Sequence, residues 1–247
     1  DKKRQAAENE TTKNLSTVLY QSLQNIQKEL LSQADLHGMT ESDLLSDFIG
    51  RDQSKYRKYI EKNYEELMSS DEKYRELIDE YIPPYDYAKV NRLKQMQSDI
   101  FAILSRDIMG ADANKAFNDQ LEDFTKRMYN SNTNAISRLT GGNFEPLPEK
   151  ELNNMLNYPW SGKTFSNRLW GNISHLEENL SNAIVNAVST GYGVDELLKT
   201  MRNDSKICDL FKQEHDKFDY AIKRLVQTEY SHFAVEGVRA SFKETGV

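Results

Sequence analysis

The sequence predicts an all-α protein, an elongated multi-helix bundle with little or no β structure. Three observations carry this. Apolar residues recur at spacings of three and four through most of the chain. Its 247 residues include only 11 Gly and 5 Pro, so turn signals are few. No run of alternating apolar and polar residues is long enough for a strand. Hydrophobic residues make up 38% and charged residues 29%, with a mean hydropathy of -0.76. That is lean for a compact globule, so the helices either stay heavily solvated or bury surface against partners.

The first element is an amphipathic helix over about Thr12 to Gln33, on the stripe Leu15, Val18, Leu19, Leu23, Ile26 and Leu30. Gly38 is its stop signal, and Thr40 or Ser42 is a cap for the next apolar run. Residues 56–87 hold seven of the 13 tyrosines among many carboxylates. They suit helix–helix packing with hydroxyls at the rim, a protein interface, or base stacking, which the acidic neighbours disfavour. Tyr56, Tyr59, Ile60, Tyr64 and Leu67 keep helical spacing, as do Tyr74, Leu77, Ile78 and Tyr81, and Pro83-Pro84 stops the second of these helices. Helices follow over about Tyr87 to Met109 and Ala113 to Leu139.

Gly141 to Pro159 holds two Gly and three Pro and no long periodic run. It reads as a linker, with a short helix near Glu149 to Leu156. This gives a helical N-terminal region at 1–140, a linker at 141–159 and a helical domain at 160–247. In the last, Phe165, Leu169, Ile173, Leu176, Leu180, Ile184 and Val188 keep strict helical spacing over about 35 Å. Gly191-Tyr192-Gly193 breaks it, and a short helix with Leu197, Leu198 and Met201 follows. Residues 203–216 are polar and ambiguous, and a last helix runs from about Phe218 to Glu244.

The net charge is -7 and the pI about 5.3, which disfavours DNA as a partner. One cysteine, Cys208, excludes an internal disulfide and a Cys-based zinc site within the chain. No apolar run approaches the roughly 18 residues needed to span a bilayer, and no signal peptide is visible, so no membrane role is expected.

Motifs for chemistry fail on inspection. Ser161-Gly162-Lys163-Thr164 ends like a phosphate-binding loop, but Asn157 stands where the first Gly belongs and no buried strand precedes it. The histidines His37, His175, His215 and His232 are scattered, and Glu214-His215-Asp216 reads as solvated surface rather than a metal site. Asp112-Ala113-Asn114 lacks the Gly and Glu of a calcium loop. Cys208 has no neighbouring His, and Glu65-Glu66 and Glu177-Glu178 lie on polar helix faces. The expectation is a non-enzyme without cofactor or metal.

Three blocks of the C-terminal third resemble one family. They are Tyr158-Pro159-Trp160-Ser161 with Phe165-Ser166-Asn167-Arg168-Leu169-Trp170; Thr190-Gly191-Tyr192-Gly193-Val194-Asp195-Glu196-Leu197; and Ala221 to Glu229 with Phe242-Lys243-Glu244-Thr245-Gly246-Val247. In order and spacing they resemble the phage minor head, or head-morphogenesis, family typified by the F protein of phage Mu. The resemblance covers about Leu156 to Val247, and the N-terminal 140 residues match such proteins only loosely. Gln227-Thr228-Glu229 departs from the usual Arg-Thr-Glu, and the chain stops before the family's Asp- and Cys-containing tail, which implies a domain truncated at its C-terminus.

The resemblance implies an all-α bacteriophage structural protein, a minor capsid protein acting in procapsid assembly and head morphogenesis near the portal. Its partners would be the portal protein and capsid or scaffold proteins. Its place would be the virion, in the capsid interior or at the portal vertex, and the host cytoplasm during assembly. Two alternatives are the non-catalytic carrier part of a phage toxin such as an ADP-ribosyltransferase fusion, and a DNA packaging or ejection factor. No Glu-x-Glu pair stands beside a nucleotide-binding motif to serve the toxin chemistry. The candidate structural or interaction residues are Trp160, Phe165, Arg168, Trp170, Gly191, Gly193, Arg224, Thr228 and Glu229. Arg168 or Arg224 is expected to pair with Glu229 between helices and set their register.

Overall fold

A computed structural model describes residues 2–37, 58, 92–109, 111–189, 193–203 and 208–246. The expected stop at Gly38, the caps at Thr40 and Ser42, the Tyr-rich stretch at 56–87 apart from Lys58, and Gly191 lie outside them. Among the described residues the chain is all-α, with seven helices and no strand. They are α1 (Lys2–His37), α2 (Arg92–Met109), α3 (Ala111–Thr140), α4 (Glu149–Asn157), α5 (Phe165–Ser189), α6 (Gly193–Asn203) and α7 (Asp209–Thr245).

Two helices begin earlier than their apolar stripes do, for one physical reason. In the first turns of α1 the inward positions are polar, so no apolar period marks them. Glu8 is buried and ion-paired to Arg4 at 3.2 Å, and Thr11 is buried. In α7 the buried face ahead of Phe218 is Phe211 and Glu214, and the Glu214 carboxylate breaks the apolar pattern. It is held by Lys217 at 2.6 Å. A buried carboxylate is tolerated only where it is paired.

The chain forms two compact units, each discontinuous in sequence. The first combines Asp1–Leu15, Asp112–Leu169 and Tyr220–Val247. Its core includes Tyr129, Leu147, Leu152 and Ala240, with Met155 and Leu156 packed against them. Phe124 packs on Tyr230 at 4.8 Å, and Thr11 shares a hydrogen bond with the Tyr230 hydroxyl at 2.8 Å. The expected linker at 141–159 lies inside this unit, so its Gly and Pro mark a turn between helices rather than a domain joint. Gly141, at φ +73, closes α3: its N–H donates to the Ser137 carbonyl at 2.8 Å, a left-handed cap that favours glycine. Pro148 then precedes α4, whose first turn carries Glu149 and Glu151 toward the positive end of the helix dipole.

The second unit combines Ser16–Ala111 and Trp170–Asp219. Its core takes Leu19, Leu23, Ile26 and Leu30 from α1, Ile100, Leu104 and Ile108 from α2, and Trp170, Ile173, Leu180 and Ile184 from α5. One buried glutamine ties three elements: Gln27 Nε2 donates to the Met201 carbonyl at 3.0 Å, and the Cys208 N–H donates to Gln27 Oε1 at 2.9 Å. Cys208 is fully buried.

Within the first unit, Gly237 of α7 marks a close helix crossing. A Cβ there would meet the Thr125 carbonyl oxygen at 2.9 Å and Met128 Cβ at 3.2 Å on α3. Alanine raises helix propensity by about 1 kcal/mol over glycine, but a backbone oxygen cannot swing aside as a side chain can. Gly237→Ala is therefore expected to lower the urea midpoint, and Gly237→Leu to cost about 2 kcal/mol or more through overpacking. A raised midpoint in the alanine variant would show that the two helices have room.

Candidate functional site

The candidate residues converge where the chain enters α5. Pro159 to Gly162 forms a tight turn, closed by the Gly162 N–H donating to the Pro159 carbonyl at 2.8 Å. This turn carries Trp160. Thr164 caps α5: its hydroxyl donates to Asn167 Oδ1 at 2.6 Å and accepts from the Asn167 N–H at 3.3 Å. The threonine that completes the phosphate-loop-like string thus serves as a helix cap, in keeping with a polar loop that starts the long helix.

One turn into α5, Arg168 reaches Glu229 of α7, with Nη1 to Oε1 at 2.7 Å. Of the two candidate partners the structure selects Arg168. Its other amino group, Nη2, donates to the Lys163 carbonyl at 2.8 Å, and its guanidinium lies 4.8 Å over the Trp160 ring. The Trp160 indole N–H donates to the second Glu229 oxygen at 3.3 Å. On the other flank, Trp160 stacks on His232 at 4.2 Å and 14°. Three motif residues from two separate blocks therefore meet at one carboxylate.

Glu229 is 1% exposed. Burial raises its carboxyl pKa, opposed by the Arg168 charge and by the Trp160 hydrogen bond. Burial lowers the His232 pKa, with Glu236 acting the other way. The Glu229 sign has a testable consequence. A carboxyl whose folded pKa lies above its unfolded one contributes stability that is complete below the unfolded value and lost as pH rises through the folded value. Wild type is expected to gain stability relative to Glu229→Gln as pH falls from 7, levelling below the ordinary carboxylate value of 4.5. Urea midpoints of the two proteins against pH check this, and a gap that widens the other way would refute it.

The other candidates separate. Phe165 is buried and stacks on Phe117 at 3.7 Å, and Trp170 is buried against Phe101 at 5.9 Å in the second unit. Gly193 is the first residue of α6. Arg224 is exposed, with its guanidinium 5.8 Å over Tyr220, and accepts from the Thr228 hydroxyl at its carbonyl at 2.8 Å. Arg224 and Thr228 join Trp160, His232 and Val235 around an open groove of about 580 Å³.

His232 is the member that the sequence reading missed. Its signal was its place three residues after Glu229 on one helix, which puts both on neighbouring positions of a face. Elsewhere, His215 lies edge-on to Tyr20 at 5.7 Å and 3.8 Å from Asp219. Glu177 is half-buried, its pKa raised by burial and opposed by a hydrogen bond from Ser181 at 3.0 Å. No cluster of three or more His, Cys, Asp or Glu able to hold a metal ion occurs among the described residues. No helix among them is long and apolar enough to cross a membrane.

The chain matches no protein-family model, no curated protein and no solved structure.

Proposed function

We propose that the protein is a structural minor head protein of a tailed phage, acting in procapsid assembly and head morphogenesis near the portal, without a catalytic centre of its own. The observation that supports this reading is the knot at Glu229. Trp160, Arg168 and Glu229 belong to the blocks that resemble the head-morphogenesis family, and they lock the start of α5 to the middle of α7. A buried carboxyl with a raised pKa is otherwise a candidate general acid or base. Here one oxygen faces the Arg168 guanidinium and the other accepts from the indole, so the carboxylate is committed to holding register.

On this reading the partners are the portal protein and the capsid or scaffold proteins, and the protein resides in the virion in few copies. Co-expression with the candidate portal and shell proteins tests it. The expected result is co-purification with the portal or with assembled shells. A recombinant protein that ignores both, and is missing from virions, overturns the reading.

A further inference from the structure

We propose that the groove beside Trp160 docks an acidic amphipathic helix of a partner protein. The inference rests on the assembly reading only in taking the partner to be a protein.

The groove has the makings of an anchor site. Its aromatic wall is rigid before any partner arrives, because Trp160 is held by Glu229, by Arg168 and by the His232 ring. Preorganised Trp, Tyr and Arg side chains are the residue types that most often dominate binding energy. Most of the remaining lining is α7: Arg224, Gln227, Ser231 and Val235 follow one another at steps of three and four, and Tyr220 one turn earlier extends the row to about 22 Å of helix. Tyr220 is 66% and Val235 63% exposed, which leaves an apolar side chain at each end of the row. A face of that length accepts a helix of about four turns.

Charge selects the occupant. Among the described residues, Arg224 is the one charged side chain lining the groove, and no carboxylate lines it. Glu229, on the same helix, is 1% exposed and ion-paired to Arg168. Arg168 is balanced by Glu229 and Arg239 by Glu236 at 3.1 Å, which leaves the Arg224 charge as the net charge of the strip. In a chain of net charge -7, this is a locally positive, partly apolar strip. It favours a partner that presents carboxylates beside an apolar stripe. One arginine is too little to neutralise the several phosphates that a nucleic acid would bring.

The probe is a fluorescein-labelled amphipathic peptide of about 18 residues, with leucines at helical spacing and glutamates on the other face. Matched peptides carry Gln or Lys in place of every Glu. Fluorescence anisotropy with the full chain is expected to show the acidic peptide binding at least about tenfold tighter than the lysine one. Arg224→Glu and Val235→Asp, both at exposed positions, are each expected to weaken it by about tenfold, with unchanged urea midpoints confirming that the variants fold.

Equal binding of all three peptides, or none up to about 1 mM, overturns the proposal. So does Arg224-dependent binding of a single-stranded oligothymidylate with no response to the acidic peptide. Acidic-peptide binding by a protein that is absent from heads would sink the assembly role and support the groove. Portal co-purification by a chain that binds none of the three peptides would overturn the groove and leave the assembly role standing.

Discussion

Glu229→Ala is expected to destabilise the folded chain by about 3 kcal/mol, read as a lower urea midpoint at neutral pH. The substitution removes the acceptor of an ion pair at 2.7 Å and of an indole hydrogen bond at 3.3 Å. It also strands the Arg168 guanidinium, whose side chain is 18% exposed. That residual access to water lets the arginine recover part of its solvation, so the cost falls at the lower end of the range for broken buried pairs. Glu229→Gln is expected to cost less, because it keeps the volume and one acceptor oxygen. A double-mutant cycle with Arg168→Met should return a coupling of about 1–3 kcal/mol. An alanine variant within about 0.5 kcal/mol of wild type would mean that the pair contributes no register.

Trp170→Ala is expected to be the most damaging single change, at about 4 kcal/mol. Trp170 is 1% exposed in the core of the second unit and stacks on Phe101. Removing it loses the transfer energy of a large aromatic and leaves a cavity that the surrounding helices fill only in part. A loss of this size is a large share of the usual stability of a domain. Trp170→Phe keeps a ring in the stack and should cost well under half as much. Trp160→Ala should also cost less, since that side chain is only half-buried. Denaturant titration of the three variants ranks them, and a Trp160→Ala variant as unstable as Trp170→Ala would contradict this division of roles.

The two tryptophans show how much was legible in the sequence and where it stopped. Both read as packing anchors near the start of a long helix, which the three/four stripe from Phe165 onward makes plain. That one sits in a core and the other borders a groove depends on which distant residues face them. The blocks that resemble the head-morphogenesis family leave two arginines as partners for Glu229. The choice between them required knowing which side of α7 faces α5: Arg224 is five residues before Glu229 and projects outward. The missing first turns of α1 and α7 have a common cause, since Glu8, Thr11 and Glu214 are polar residues in buried positions and a hydrophobic period cannot register them. Gly237 offered a weak signal, a lone glycine inside a helical pattern, but its contact with the Thr125 carbonyl is made by a residue more than a hundred positions away. The turn at Gly141 and Gly142 was legible as a break, yet composition alone does not distinguish a turn between packed helices from a joint between domains.

Quantitative mass spectrometry of purified heads tests the proposed role in phage head assembly. The chain is expected in few copies per head, with that number reduced in the Glu229→Ala variant. Its complete absence from purified heads and from isolated portal complexes would contradict that role.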